Sequence, residues 1–150
     1  MKKVLILLIL FYGHLYALDR DSTLKLYHKL FFSLSPKAEI SVYVNDNEYR
    51  KIFLSSKRLQ LTKEPKDADI VLITDERTLE KVLAKRQDIQ TDKKPILFVT
   101  DHHFLDRSKD IVGAFYWRKG RSQLLFVKNR LDQYHIVLPA EYQKFIIDEL

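Results

Sequence analysis

The chain has no cysteine and, among its 150 residues, three glycines and four prolines. Without cysteine there is no disulfide framework, no lipid-attachment cysteine and no thiolate chemistry, so stability must come from a packed core. Three glycines leave no glycine-rich phosphate loop. No H-E-x-x-H helix occurs, and no serine or histidine stands in a nucleophile motif. A clustered positive stripe is also missing: the formal net charge is +6, which favours solubility and contact with acidic surfaces but falls short of a nucleic-acid footprint. These absences predict a protein that is not an enzyme, carries no metal or other cofactor and does not bind nucleic acid. Repeats and low-complexity segments are absent too, and about 130 residues beyond the N-terminal segment suffice for a single core.

What is there begins with Lys2 and Lys3, an unbroken apolar run from Val4 to Tyr12 and a short segment ending in Ala17. That order matches the three regions of a secretory signal peptide. A membrane span needs roughly 20 apolar residues, about twice this run, so cleavage near Ala17 is expected rather than retention as an anchor. The predicted organisation is a signal peptide over 1–17 and one domain over 18–150, with a periplasmic location. Losing Lys2 and Lys3 from 26 basic residues leaves 24 against 20 acidic ones.

Leu24, Tyr27, Leu30, Phe31 and Leu34 recur at helical spacing, with Asp21, Ser22 or Thr23 available as N-caps. Glu39 to Val44 alternates as a strand and ends on an Asn-Asp-Asn turn. A short helix over Glu48 to Leu54 and a weak edge strand over Arg58 to Thr62 follow. Ile70 to Thr74 and Pro95 to Thr100 are near-continuous apolar runs, as expected of parallel strands covered on both faces, and a helix over Thr78 to Arg86 joins them. Ile111 to Trp117 and Gln123 to Val127 flank Gly120 as a hairpin. Pro139, Tyr142, Phe145, Ile146 and Leu150 predict a last helix. The fold class is α/β: a single-domain layered sandwich with a mixed, partly parallel sheet and a C-terminal hairpin plus helix.

Two groups of residues could carry function. Asp75 and Asp101 each follow a buried strand, so parallel pairing brings both to the sheet edge where ligands bind in open α/β sheets, with His102 or His103 beside them. They are read first as helix N-caps. Adjacent side chains on a regular backbone point apart, so at most one of the two histidines is expected to join such an edge, and the pair is read as a solvated loop. The second group is the hairpin tip: Tyr116, Trp117, Arg118, Lys119 and Arg121, with Phe115 before it and Lys128 and Arg130 after the second strand. Tryptophan, tyrosine and arginine are the types enriched at protein-binding hot spots.

The C-terminal half, in the segments DADIVLI, PILFVTDHHFL and IVGAFYWRKGRSQLLFVKNRL, resembles the YfiR-like periplasmic proteins over residues 67–150. Asp69 matches the Asp before that family's first buried strand, Asp101 its strand-end Asp and Gly113 its hairpin glycine. Phe126 matches an apolar hairpin position, and Asn129 lies near an expected Asn. Ala68 stands where the family usually has cysteine, Phe98 replaces a Thr and the paired hairpin glycines are reduced to one, so no disulfide-based redox control can operate here. The resemblance implies a small periplasmic regulator that binds the sensory domain of an inner-membrane signalling protein, a diguanylate cyclase, and restrains cyclic-di-GMP synthesis. A second copy of the chain is an alternative partner, and a small-ligand or solute-binding component is the alternative function.

Overall fold

The computed structural model describes residues 20–90 and 94–150, so the signal-peptide reading of 1–17 lies outside the described residues. Helix α1 occupies residues 20–34 and buries Tyr27, Leu30, Phe31 and Leu34 along one face. Asp21, Ser22 and Thr23, expected as its caps, lie inside it, because the helix has already begun by residue 20. Strand β1 (Ile40–Val44) follows. Asp46 then caps α2 (Asn47–Leu54), its carboxylate accepting from the Glu48 and Tyr49 amides. Next come the short strand β2 (Leu59–Leu61), β3 (Ile70–Ile73), α3 (Glu76–Arg86) and β4 (Ile96–Val99). A 3-10 helix (His102–Arg107) leads into β5 (Ile111–Arg118) and β6 (Arg121–Val127), which turn directly into α4 (Lys128–Gln133).

The described strands form one seven-stranded sheet, completed by β7 (Ile146–Ile147), in the order β2-β1-β3-β4-β5-β6-β7. Pairing is parallel from β2 across to β5, antiparallel between β5 and β6, and parallel again between β6 and β7. The fold is the mixed α/β sheet that the sequence predicts, with β2 at an edge. Both faces are covered, which explains the unbroken apolar runs. Ile70, Leu72 and Phe98 face the layer holding α1 and α2, whereas Val71, Ile73, Leu97 and Val99 face α3 and Leu105.

The end of the chain departs from expectation. In place of a last α-helix, residues Ala140–Phe145 form a 3-10 helix, and Ile146 and Ile147 then pair with Phe126 and Val127 of β6. Two adjacent β-branched residues gain more by extending a sheet edge than by continuing a helix. Tyr142 is buried as predicted, but Leu150 is exposed. The short helix α4 went unpredicted because, apart from Leu131, its sequence KNRLDQ has no apolar face. No helix among the described residues is long and apolar enough to cross a membrane.

Candidate functional site

The β5–β6 hairpin turns through Lys119 (φ 51°) and Gly120 (φ 76°), two consecutive left-handed residues as a two-residue type I′ connection requires. Cross-strand pairing sets Trp117 opposite Ser122 and Arg118 opposite Arg121. Two like charges thus face each other beside a third on Lys119, and none of the three enters an ion pair among the described residues. Trp117 is 68% exposed. It lies at the rim of a cleft of about 370 Å³ lined by Leu26, Tyr27, Tyr49, Ile52 and Phe115, between α1, α2 and the hairpin. Tyr116 points to the opposite face, where its ring packs on His102 with centroids 4.6 Å apart.

Lys128 and Arg130 do not belong to this tip. They follow the far end of β6, six residue steps or about 20 Å of strand away. Arg130 is buried, and its Nη1 donates to the carbonyl oxygens of Leu105, Ser108 and Ile111 at 2.9, 3.1 and 2.9 Å, tying α4 to the 3-10 segment and β5. Arg86 is likewise buried. It donates from Nε to Asp110 at 2.8 Å, from Nη1 to the Pro95 carbonyl at 2.7 Å and from Nη2 to the Tyr134 hydroxyl. Neither role has a sequence signal, since arginine ordinarily counts toward the surface.

At the carboxyl edge of the sheet, Asp75 and Asp101 both serve as caps. Asp75 Oδ1 accepts from the Thr78 amide at 2.8 Å, and Oδ2 accepts from the Thr78 hydroxyl at 2.8 Å. Burial works to raise the Asp75 pKa, but the Thr78 donors, together with the Thr74 hydroxyl and the Arg77 charge, outweigh it and hold the carboxyl below its ordinary value. Asp101 Oδ1 accepts from the His103 amide at 2.9 Å, and that bond is the main cause of its lowered pKa.

The two histidines correct the expectation that only one could reach this edge. Asp101 is extended (φ −128°, ψ 123°) and His102 opens a 3-10 helix, so neither strand nor α-helical divergence applies. The imidazoles stack with centroids 3.9 Å apart. Both turn Nδ1 toward Asp101 Oδ1, at 3.7 Å for His102 and 2.8 Å for His103. Ligand atoms of Asp101, His102 and His103 all lie within 4.8 Å of one another, and Asp75 is not part of the group. The signal for it was the tripeptide Asp-His-His at a strand end. No family model, curated protein or solved structure matches the chain.

Proposed function

We infer that the protein is a non-enzymatic periplasmic regulator that works by protein contact, in the manner the YfiR-like resemblance implies. Its partner would be the periplasmic sensory domain of an inner-membrane diguanylate cyclase, whose cyclic-di-GMP synthesis it restrains. The observation that carries this reading is the hairpin tip, where an exposed Trp117 adjoins three cations, Arg118, Lys119 and Arg121, that no carboxylate among the described residues neutralises. Unpaired like charges opposite each other on a two-stranded ribbon cost stability, and an acidic partner surface would relieve that cost. An aromatic anchor beside arginine is the composition of an interface hot spot. The signal-like N-terminus supports delivery to the compartment where such a sensory domain lies.

The test is co-purification from the native host's envelope, comparing the wild-type chain with an Arg118→Glu, Arg121→Glu double variant, followed by mass spectrometry. The expected result is a membrane protein with an exported sensory region and a diguanylate cyclase domain, retained by the wild type and lost with the charge reversal. Recovery of no such protein, or equal recovery with both chains, would overturn the reading. N-terminal sequencing of the purified chain checks export independently: a start near residue 18 is expected, and an intact Met1 in the membrane fraction would contradict it.

A further inference from the structure

We propose that Asp101, His102 and His103 form a binding site for a late first-row divalent cation such as Zn²⁺, Ni²⁺ or Cu²⁺, a property separate from the hairpin contact. Bonds of about 2.0–2.1 Å to nitrogen and oxygen place two ligands about 2.9 Å apart at a right angle and about 3.4 Å apart at the tetrahedral angle. The separations from Asp101 Oδ1, 2.8 Å to His103 Nδ1 and 3.7 Å to His102 Nδ1, bracket that range. An ion can therefore be held with small side-chain rotations and no change in backbone.

Two of the three ligands are already positioned. The His103 amide fixes the Asp101 carboxylate through Oδ1, and Oδ2 takes no hydrogen bond among the described residues. The His102 ring packs against two neighbouring rings, Tyr116 with centroids 4.6 Å apart and His103 with centroids 3.9 Å apart. Orientation by such neighbours is what separates a metal site from a chance meeting of side chains. His103 completes the set from solvent, with its side chain 76% exposed. Arg107, the cation at the end of the same 3-10 helix, is engaged by Glu76 and Glu80 and does not confront the site.

The donor set selects the class of ion. Two imidazole nitrogens and one carboxylate suit zinc, nickel and copper, whereas calcium and magnesium demand oxygen ligands throughout. Three protein ligands on an open surface leave at least one coordination position for water or for a group from another molecule, unlike the closed four-ligand shell of a structural zinc.

Calorimetric titration of tag-free protein with ZnCl₂ and NiCl₂, with MgCl₂ as the control, tests the site. One equivalent of zinc or nickel is expected and no magnesium. His103→Ala and Asp101→Asn should each weaken binding at least tenfold at an unchanged melting temperature, since His103 is exposed and Asn retains the capping acceptor. A second readout is available because Trp117, the chain's one tryptophan, follows the Tyr116 that stacks on His102. Titration with CuCl₂ should quench its fluorescence in the wild type, and His103→Ala should shift that quenching to at least tenfold higher copper. Absence of a stoichiometric zinc or nickel site, or an affinity unaltered in either variant, would overturn the proposal.

Discussion

Asp69 and Ser41 bond to each other in both directions: Asp69 Oδ2 accepts from the Ser41 amide at 3.0 Å, and the Asp69 amide donates to both Ser41 Oγ and the Ser41 carbonyl oxygen at 2.9 Å. The pair fastens the entry of β3 to β1, and Lys37 Nζ reaches the other carboxylate oxygen at 2.5 Å. Asp69, which the sequence alone gives no structural role, is thus a latch between neighbouring parallel strands.

Burial works to raise the Asp69 pKa, but the bonds from Lys37 and Ser41 outweigh it and hold the group below its ordinary value of 3.8. A group depressed in the folded state contributes stability that is fully present above the unfolded value and lost as pH falls through the folded one. Acidification from about pH 6 to about pH 3 should therefore cost the wild type on the order of 1 kcal/mol through this group, the scale of a partly exposed charged hydrogen bond. Asp69→Asn keeps an acceptor for the Ser41 amide and should show a flatter dependence. Urea midpoints at the two pH values measure the difference, and equal slopes for both chains would remove Asp69 from the account.

Gly113 is required by contact rather than by turn geometry. A Cβ there would stand 2.5 Å from the Leu125 carbonyl oxygen, 2.9 Å from Phe126 Cδ1 and 3.0 Å from Phe98 Cε2, where β5 shifts register against β4. Two of these neighbours are buried rings and the third is backbone, so little can give way. Gly113→Ala should destabilise by about 1–3 kcal/mol, the usual cost of overpacking. Gly120→Ala meets open space but a φ of +76°, so its cost of about 1 kcal/mol is purely conformational. Chemical denaturation should rank the two in that order.

Burial on both faces made β3 and β4 legible, because a strand covered on each side has no polar positions to interrupt its apolar run. The hairpin was legible from two apolar runs, Ile111 to Trp117 and Gln123 to Val127, on either side of Gly120. The chain's end was not, since Tyr142 and Phe145 are three residues apart and fit a 3-10 turn as well as an α-helical face. The acidic edge was half legible. Asp101 was placed from its strand, but the convergence of His102 and His103 arises from a 3-10 start that their sequence does not announce. The arginines that tie loops together, Arg86 and Arg130, were invisible, because a buried guanidinium is defined by the carbonyls around it and those come from distant segments.

Arg86 joins α3 to three of those segments through Pro95, Asp110 and Tyr134, and its side chain is 4% exposed. Removing it strands the Pro95 carbonyl and leaves the Asp110 carboxylate without its partner. Arg86→Ala should cost roughly 3 kcal/mol or more. Arg86→Lys should recover little of this, since a single ammonium on a flexible stem cannot reproduce a planar fork aimed at three acceptors. Tyr134→Phe, which loses one hydroxyl, should cost about 1 kcal/mol. Denaturant midpoints for the three variants decide the matter, and a lysine variant as stable as wild type would refute the fork argument.

The hairpin prediction rests on separating surface from core. As a residue 68% exposed, Trp117 should be removable at a cost of about 1 kcal/mol or less, against the roughly 3–5 kcal/mol that emptying a packed aromatic site requires. Arg118 and Arg121 face each other with no ion pair among the described residues, so Arg118→Glu alone should stabilise the free domain slightly by creating a cross-strand ion pair with Arg121. Binding should move the opposite way. A central tryptophan or arginine anchor is worth about 2 kcal/mol on truncation, about thirtyfold in Kd, and charge reversal against an acidic surface should do at least as much. Melting temperature and affinity for the proposed partner, measured on Trp117→Ala, Arg118→Glu and the Arg118→Glu, Arg121→Glu pair, should therefore diverge, with stability held and affinity lost. Should Trp117→Ala unfold the domain, or should the double charge reversal leave affinity intact, the hairpin is ordinary structure and the contact surface must lie on the helical faces.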